Sequence, residues 1–216
     1  MPCNHKFIEY LNLEGLDFKP ITLIVGTFNP AWPENNNAEW FYGRTHDEHG
    51  NRNNNFWDVL PRLFENEQSL IDFGPNEWKQ FCSKKKIALT DLINTIEDAD
   101  PNNPNHIQFL GGYADNVIAN NFHQHVFTDV IGILQNNPSI TKVYITNGVN
   151  GAFWNNIWHP IEDYCEANHI ICGKLLTPSK NARFSMFAHN RNHINNQYNM
   201  NNLNDFILMK WLEVWN

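Results

Sequence analysis

The sequence has no clustered cysteines and no long apolar run, and each absence excludes a class of protein. Its four cysteines are scattered and form no Cys-x-x-Cys pair, which argues against a zinc site or a disulfide framework. No segment approaches the roughly 18 apolar residues of a membrane span, and residues 1–10 lack the basic and apolar parts of a secretion signal. We therefore expect a cytoplasmic protein that binds neither a membrane nor a metal.

Basic residues are also scarce. The chain has 15 Lys and Arg against 23 Asp and Glu, a formal charge of −8, whereas binding to phosphate groups depends on positive charge. The charges are unevenly distributed, however, because residues 167–204 contain no Asp or Glu and do contain Lys174, Lys180, Arg183 and Arg191. A locally positive face is therefore expected on an acidic protein, which keeps a nucleic acid among the candidate partners.

The hydrophobic pattern predicts one α/β domain over residues 1–216, a length that can bury a substantial core. Apolar runs bounded by Gly, Asn or Pro predict strands at residues 21–25, 87–92, 142–146 and 170–176. Apolar spacings of three and four predict helices at residues 5–12, 55–64, 76–85, 119–134, 152–167 and 205–214. Because uniformly apolar strands belong to a sheet covered on both faces, we expect a three-layer α/β/α sandwich around a central, mostly parallel four-stranded sheet.

The loops after the predicted strands carry the distinctive motifs, and in such sheets ligands bind at the carboxyl ends of the strands. The first strand is followed by Gly-Thr-Phe-Asn-Pro at residues 26–30, by Trp-Phe-Tyr-Gly-Arg at residues 40–44 and by Asn-Phe-Trp at residues 55–57. The second strand ends in Ala-Leu-Thr-Asp-Leu at residues 88–92, and the last strand ends in Leu-Thr-Pro-Ser at residues 176–179.

In this order the motifs resemble those of the uracil-DNA glycosylase superfamily, in particular its mismatch-specific uracil/thymine and hypoxanthine branches. The resemblance extends over about residues 20–187, and its strength lies in the order of the motifs, since each is weak alone. It implies a DNA glycosylase that hydrolyses the N-glycosidic bond of a deaminated base, uracil or hypoxanthine, in base excision repair. The partner would be DNA, and the enzyme would be a monomer without metal or cofactor.

The resemblance implies catalytic roles for Asn29, Asn55 and Asp91. Asn29 occupies the place where the family's first motif holds Asp or Asn to orient the attacking water, which an amide does by hydrogen bonding rather than as a strong base. The spacing from Gly to Asn is one residue longer than in the family, so Asn55 and Asp91 stand beside it as alternatives. Asn55 is equally suited to cap a helix, and Asp91 to end a strand.

The resemblance also implies that Thr27, Phe28, Tyr42 and Thr177 bind the base. Tyr42 would stack on the base or wall its pocket, although an aromatic residue in this stretch is also suited to the core. Thr177 replaces the His or Asn of the family's last motif. Because a hydroxyl stabilises an oxyanion less well than an imidazole does, we expect slow turnover.

Ser179, Lys180, Arg183 and Phe184 are expected to contact DNA. Ser179 would hold a phosphate, the two cations would contact the backbone, and Phe184 would enter the opened base stack. Two other functions remain open. A nucleic-acid or nucleobase binding module of the same fold without catalysis is favoured by Thr177 and by the acidic composition, and a hydrolase of small nucleosides would need no basic face.

Overall fold

The computed structural model describes residues 1–33, 36–47, 49–112, 114–146, 151–192 and 200–215. Its strands are β1 (Cys3–Asn4), β2 (Thr22–Gly26), β3 (Ile87–Asp91), β4 (Ile93–Ile96), β5 (His125–Phe127), β6 (Lys142–Ile145) and β7 (Ile171–Lys174). Its α-helices are α1 (Phe56–Val59), α2 (Pro75–Lys85), α3 (Pro104–Gly112), α4 (Asp115–Asn121), α5 (Val130–Asn136), α6 (Ala152–Ala167), α7 (Ala182–Asn192) and α8 (Leu203–Leu212).

The central sheet has four parallel strands in the order β3-β2-β6-β7. These are the four strands that the apolar runs predict, and the α/β prediction is confirmed. The carboxyl end of β2 is level with that of β3, since Gly26 is opposite Asp91, and Val25 is opposite Ile145 of β6. The loops that follow these three strands therefore begin at one edge of the sheet.

Alternate residues of the strands pack into two separate layers. Leu23 and Val25 face a core formed with α3, α4, α5 and α6, in which Trp158 is fully buried. Ile24 faces the other core, formed with α1, α2 and α8, in which Trp57 is fully buried. Because each strand is apolar on both faces, the sheet is covered by helices on both sides, as the sequence predicts.

The predicted helix at residues 5–12 is wrong. Residues Cys3–Asn4 form β1, which pairs with β4 in a small antiparallel sheet, and the helical part is only a 3-10 turn at Ile8–Tyr10. The backbone N–H of His5 donates to the carbonyl of Asn94, 2.7 Å away. Because the backbone at residues 3–5 forms its hydrogen bonds with the β4 region, these residues do not form a helix.

The predicted helix at residues 119–134 is also wrong as a continuous element. It is divided into the end of α4, strand β5 and the start of α5, because β5 pairs with β4. Phe122, Val130 and Ile133 are buried as the spacing predicts, but Val126 is 41% exposed on β5. The apolar spacing therefore identifies three buried residues of this segment, but it does not predict the conformation of the backbone.

The remaining predicted helices are observed with altered ends. Residues 152–167 form α6 over the predicted span, and residues 76–85 and 205–214 correspond to α2 and α8. The predicted helix at residues 55–64 is a four-residue α1 followed by a 3-10 turn that begins at Pro61. None of the helices in the described ranges is both long and apolar enough to cross a membrane.

Candidate active site

A cleft of about 630 Å³ opens at the carboxyl edge of the central sheet. In the sheet, β3 lies on one side of β2 and β6 lies on the other, so the order of the strands reverses at β2. Parallel sheets commonly bind ligands at the carboxyl ends of the strands next to such a reversal. The loops at residues 26–29, 42–44 and 176–181 all line it, together with Asp91 and Thr146. Segments far apart in the sequence thus meet around one space.

Asp91, at the end of β3, is the buried carboxylate of this cleft, with only 2% of its surface exposed. Its Oδ2 lies 2.7 Å from Nε2 of His5 and 3.3 Å from the Nδ2 of Asn29, which donates to it. The backbone N–H of Phe7 donates to Nδ1 of His5, so the proton of the neutral imidazole is on Nε2 and points at Asp91. Two donors therefore fix the orientation of this carboxylate.

Gly26 makes room for Asp91. A Cβ at this position would overlap Oδ1 of Asp91 and lie 2.8 Å from the phenol oxygen of Tyr42. Any side chain at residue 26 would therefore displace the carboxylate or the phenol. The glycine in the first motif is thus explained by close packing at the end of β2.

A second carboxylate, Asp115 at the start of α4, also lines the cleft. The hydroxyl of Thr27 donates to its Oδ1 over 2.6 Å. Burial and the nearby charge of Asp91 raise the pKa of Asp115 from 3.8 to about 6, against the opposing effect of the Thr27 hydrogen bond. Asp115 therefore exchanges a proton close to neutral pH.

Tyr42 lines the cleft and also packs against the core beneath it. Its ring stacks on that of Phe56, with centroids 3.7 Å apart and planes within 5° of parallel, and its phenol is 2.9 Å from the hydroxyl of Thr146. Burial and the charges of Asp91 and Asp115 raise the pKa of the Tyr42 phenol well above 10. The phenol therefore stays protonated.

Asn55 does not line the cleft. It precedes α1 without capping it, and both its backbone N–H and its Nδ2 donate to the carbonyl of Pro178, at 2.8 and 3.1 Å. The amide thus ties the start of α1 to the loop at residues 177–179. In that loop the hydroxyl of Thr177 donates to that of Ser179, and both side chains line the cleft.

The outer rim of the cleft is formed by Lys180 and helix α7. Lys180 lines the cleft, whereas Arg183 and Phe184 lie beside it, and the Phe184 side chain is 75% exposed. Phe187, also on α7, is 53% exposed. Lys174 does not line the cleft. Its Nζ lies 2.9 Å from a carboxylate oxygen of Glu162 on α6.

The sequence motifs locate Thr27, Phe28, Asn29, Tyr42, Asp91, Thr177, Ser179 and Lys180 at the cleft, and the structure brings these residues together. They do not reveal His5 or Asp115, whose partners are 86 and 88 residues away in the chain. Within the described ranges, no group of three or more His, Cys, Asp or Glu residues is arranged to hold a metal ion.

No protein-family model and no curated protein sequence matches the chain. Its structure is similar to the solution NMR structure of a "putative Uracil DNA glycosylase" from Methanosarcina acetivorans, with a TM-score of 0.51. The match covers 92% of this chain and 93% of the other, at 12% sequence identity. At that identity the similarity concerns the fold alone, and the chain has an α/β fold like that of the Methanosarcina acetivorans protein.

Proposed function

We propose that the protein is a DNA glycosylase that hydrolyses the N-glycosidic bond of a deaminated base, uracil or hypoxanthine, in DNA. The observation that carries this proposal is a buried, oriented carboxylate, Asp91, in a cleft of about 630 Å³ at the carboxyl edge of the sheet. This volume is within the roughly 300–1,000 Å³ of small-molecule sites. An enzyme that acts on a base in duplex DNA needs such a pocket for the extruded nucleotide.

The chemistry of bond cleavage accounts for Asp91 and Asn29. As the bond to the base breaks, positive charge develops on the sugar, and a fixed carboxylate stabilises it. Asp91 would also take a proton from the attacking water, a contribution of about 10²- to 10⁴-fold for a general base. Asn29, which donates to Asp91 through Nδ2, keeps its amide oxygen to accept a hydrogen bond from that water.

The walls of the cleft account for base binding. Phe28 and Tyr42 offer aromatic surface, and Tyr42 is held in place by its stacking on Phe56. A base that enters beside Tyr42 would be enclosed by apolar surface on its faces and would meet polar groups only at its edges. Thr27 and Thr177, which line the same cleft, would contact those edges.

DNA would be held at the rim. Lys180 and Arg183 are exposed, and no carboxylate is paired with either within the described residues. Ser179 adds a hydroxyl at the same mouth. Phe184 is an exposed apolar side chain of the kind that DNA-bending proteins insert between base steps. Asn55 is assigned a positioning role, because it fixes the loop that carries Thr177 and Ser179.

The test is an excision assay on oligonucleotides with one uracil, hypoxanthine, xanthine or mismatched thymine, in single and double strands. Alkali treatment cleaves the abasic sites, and we expect cleavage for at least one deaminated base. Retention of modified DNA without any cleavage would instead indicate a binding module. Release of base from free deoxyuridine or deoxyinosine, with oligonucleotides left intact, would indicate a nucleoside hydrolase.

A further inference from the structure

Two of the polar side chains that line the cleft are carboxylates. Asp91 and Asp115 reach it from different elements. Thr27 donates to Asp115, and it follows directly after Gly26, which packs on Asp91. Both carboxylates also act on the phenol of Tyr42 and raise its pKa. The three side chains line the same cleft.

Two cations, Arg44 and Lys180, also line the cleft. Arg44 donates to the carbonyl of Gly111 at 3.1 Å, and Lys180 is at the exposed rim. A base that departed as an anion would meet the carboxylates of Asp91 and Asp115, which line the same cleft, and like charges in a confined site repel. The electrostatics favour a base that leaves after it has received a proton.

Asp115 is placed to deliver that proton. Thr27 holds its Oδ1, while Oδ2 has no hydrogen bond to any residue in the described part of the chain. The other titratable and charged groups that line the cleft are Asp91, Tyr42, Arg44 and Lys180, and the charge of Asp91 acts on Asp115. Burial and the charge of Asp91 raise its pKa to about 6, whereas Asp91 is held by two hydrogen-bond donors. Two carboxylates in unlike surroundings suit the roles of acid and base.

We propose that Asp115 is the general acid of this cleft and that the base released is a purine of the hypoxanthine type rather than uracil. The inference depends on the proposed glycosylase function. The bond from C1′ to N9 breaks with its electron pair moving to the purine, and the proton on Asp115 goes to N7. Water adds its hydroxyl to C1′ and its proton to Asp91. Solvent then takes the proton from Asp91 and returns one to Asp115.

The preference for a purine follows from where each base can accept a proton. A purine carries N7 as a ring-nitrogen acceptor on its major-groove edge, and protonation there yields a neutral leaving base. Uracil offers only carbonyl oxygens and departs from N1 as an anion, for which this acidic floor is unsuited. Asp115 therefore contributes to the rate for one class of base and not for the other.

The test compares the wild-type protein, Asp115→Asn and the control Asp163→Asn, in which an exposed aspartate of α6 is changed. Single-turnover release of hypoxanthine and of uracil is measured between pH 5 and 8. Since the protonated carboxyl is the active form, the wild-type rate on hypoxanthine should fall as pH rises through about 6. Asp115→Asn should lose at least about 10²-fold on hypoxanthine and lose this pH dependence, whereas Asp163→Asn should keep both.

The outcomes separate the two proposals. If the wild-type protein releases no base, the glycosylase function itself fails. If it releases only uracil, or if Asp115→Asn releases hypoxanthine at the wild-type rate and with the wild-type pH profile, the assignment of Asp115 fails and the function stands. Thr27→Val is a second variant. Its loss of the hydrogen bond that lowers the pKa of Asp115 should move the fall in rate to higher pH.

Discussion

The floor and the rim of the cleft are built in opposite ways. The floor is formed by His5, Asn29, Asp91 and Asp115, and it contains one buried carboxylate, Asp91, and one partly buried carboxylate, Asp115, each bound by hydrogen bonds. The rim, formed by Lys180 and by Arg183 and Phe184 of α7, is exposed and basic and carries an aromatic side chain. The overall charge of −8 therefore does not describe the surface that would contact DNA.

The difference assigns separate tasks to the two regions. Changes in the floor should alter the chemical step and the free energy of unfolding, because they act on buried charges. Changes in the rim should alter DNA binding and leave the fold unaffected, because exposed side chains contribute little to stability. Each prediction below tests this division.

The largest effect is expected for Asp91→Asn. The amide keeps the shape of the side chain and can still accept from His5 Nε2, but it neither takes a proton nor opposes the positive charge on the sugar. We expect the single-turnover rate to fall by about 10²- to 10⁴-fold, with DNA affinity unchanged by gel shift. Asp163→Asn is the control for loss of one negative charge. A variant that retained the wild-type rate would remove Asp91 from the chemistry.

The next effect is on stability, in Asp115→Asn. The folded state raises the pKa of this carboxyl from 3.8 to about 6, so the folded protein binds the proton more tightly than the unfolded chain does. The proton on Asp115 therefore stabilises the folded state fully below about pH 3.8, and this stabilisation is lost as pH rises through 6. At pH 7.5 the free energy of unfolding is lower by roughly 3 kcal/mol than it would be with Asp115 protonated in both states.

The asparagine has no charge to bury. In urea titrations Asp115→Asn should therefore be more stable than the wild-type protein by up to roughly 3 kcal/mol at pH 7.5, and the difference should shrink at pH 4. Asp163→Asn should show no such pH-dependent gain, because its side chain is 64% exposed. Equal stability of Asp115→Asn and wild type at both values would mean that the floor does not hold a destabilised carboxylate.

The sequence predicts the sheet and the part of the floor that follows directly from it. Asp91 ends a buried strand, and parallel strands place their carboxyl ends at one edge, so its position can be read from the apolar run before it. Asp115 belongs to a seven-residue helix that no periodicity marks, and its contact with Thr27 is across 88 residues. Such contacts depend on tertiary packing.

The sequence predicts only part of the rim as well. The basic composition of residues 167–204 is visible in the sequence, but Lys174 pairs with Glu162 while Lys180 reaches the cleft. Helix α7 is not expected from its weakly periodic, Asn-rich sequence, although it determines that Phe184 is exposed beside the cleft. The sequence thus predicts the charge of the rim and not its geometry.

Phe184→Ala should weaken DNA binding. Stacking of an aromatic side chain on a base contributes about 1–3 kcal/mol, or roughly a 5- to 150-fold change in Kd. We expect this loss in fluorescence anisotropy with oligonucleotides that contain a mismatch, without a change in Tm. Phe73→Ala is the matched control, because Phe73 is 56% exposed and does not line the cleft. Similar binding by both variants would mean that Phe184 is only an exposed surface residue.

The smallest effect is expected for single charge removals at the rim, Lys180→Ala and Arg183→Ala. Each phosphate contact adds about 0.9 to the slope of log Kd against log salt, so each variant should lower that slope by about one. The loss of affinity should be uniform across DNA sequences, because phosphate contacts carry no base information. Lys19→Ala removes an exposed lysine just before β2, at the amino edge of the sheet, away from the cleft. If its slope falls as much as that of Lys180→Ala, DNA is attracted by the whole surface, and the rim has no special part in binding.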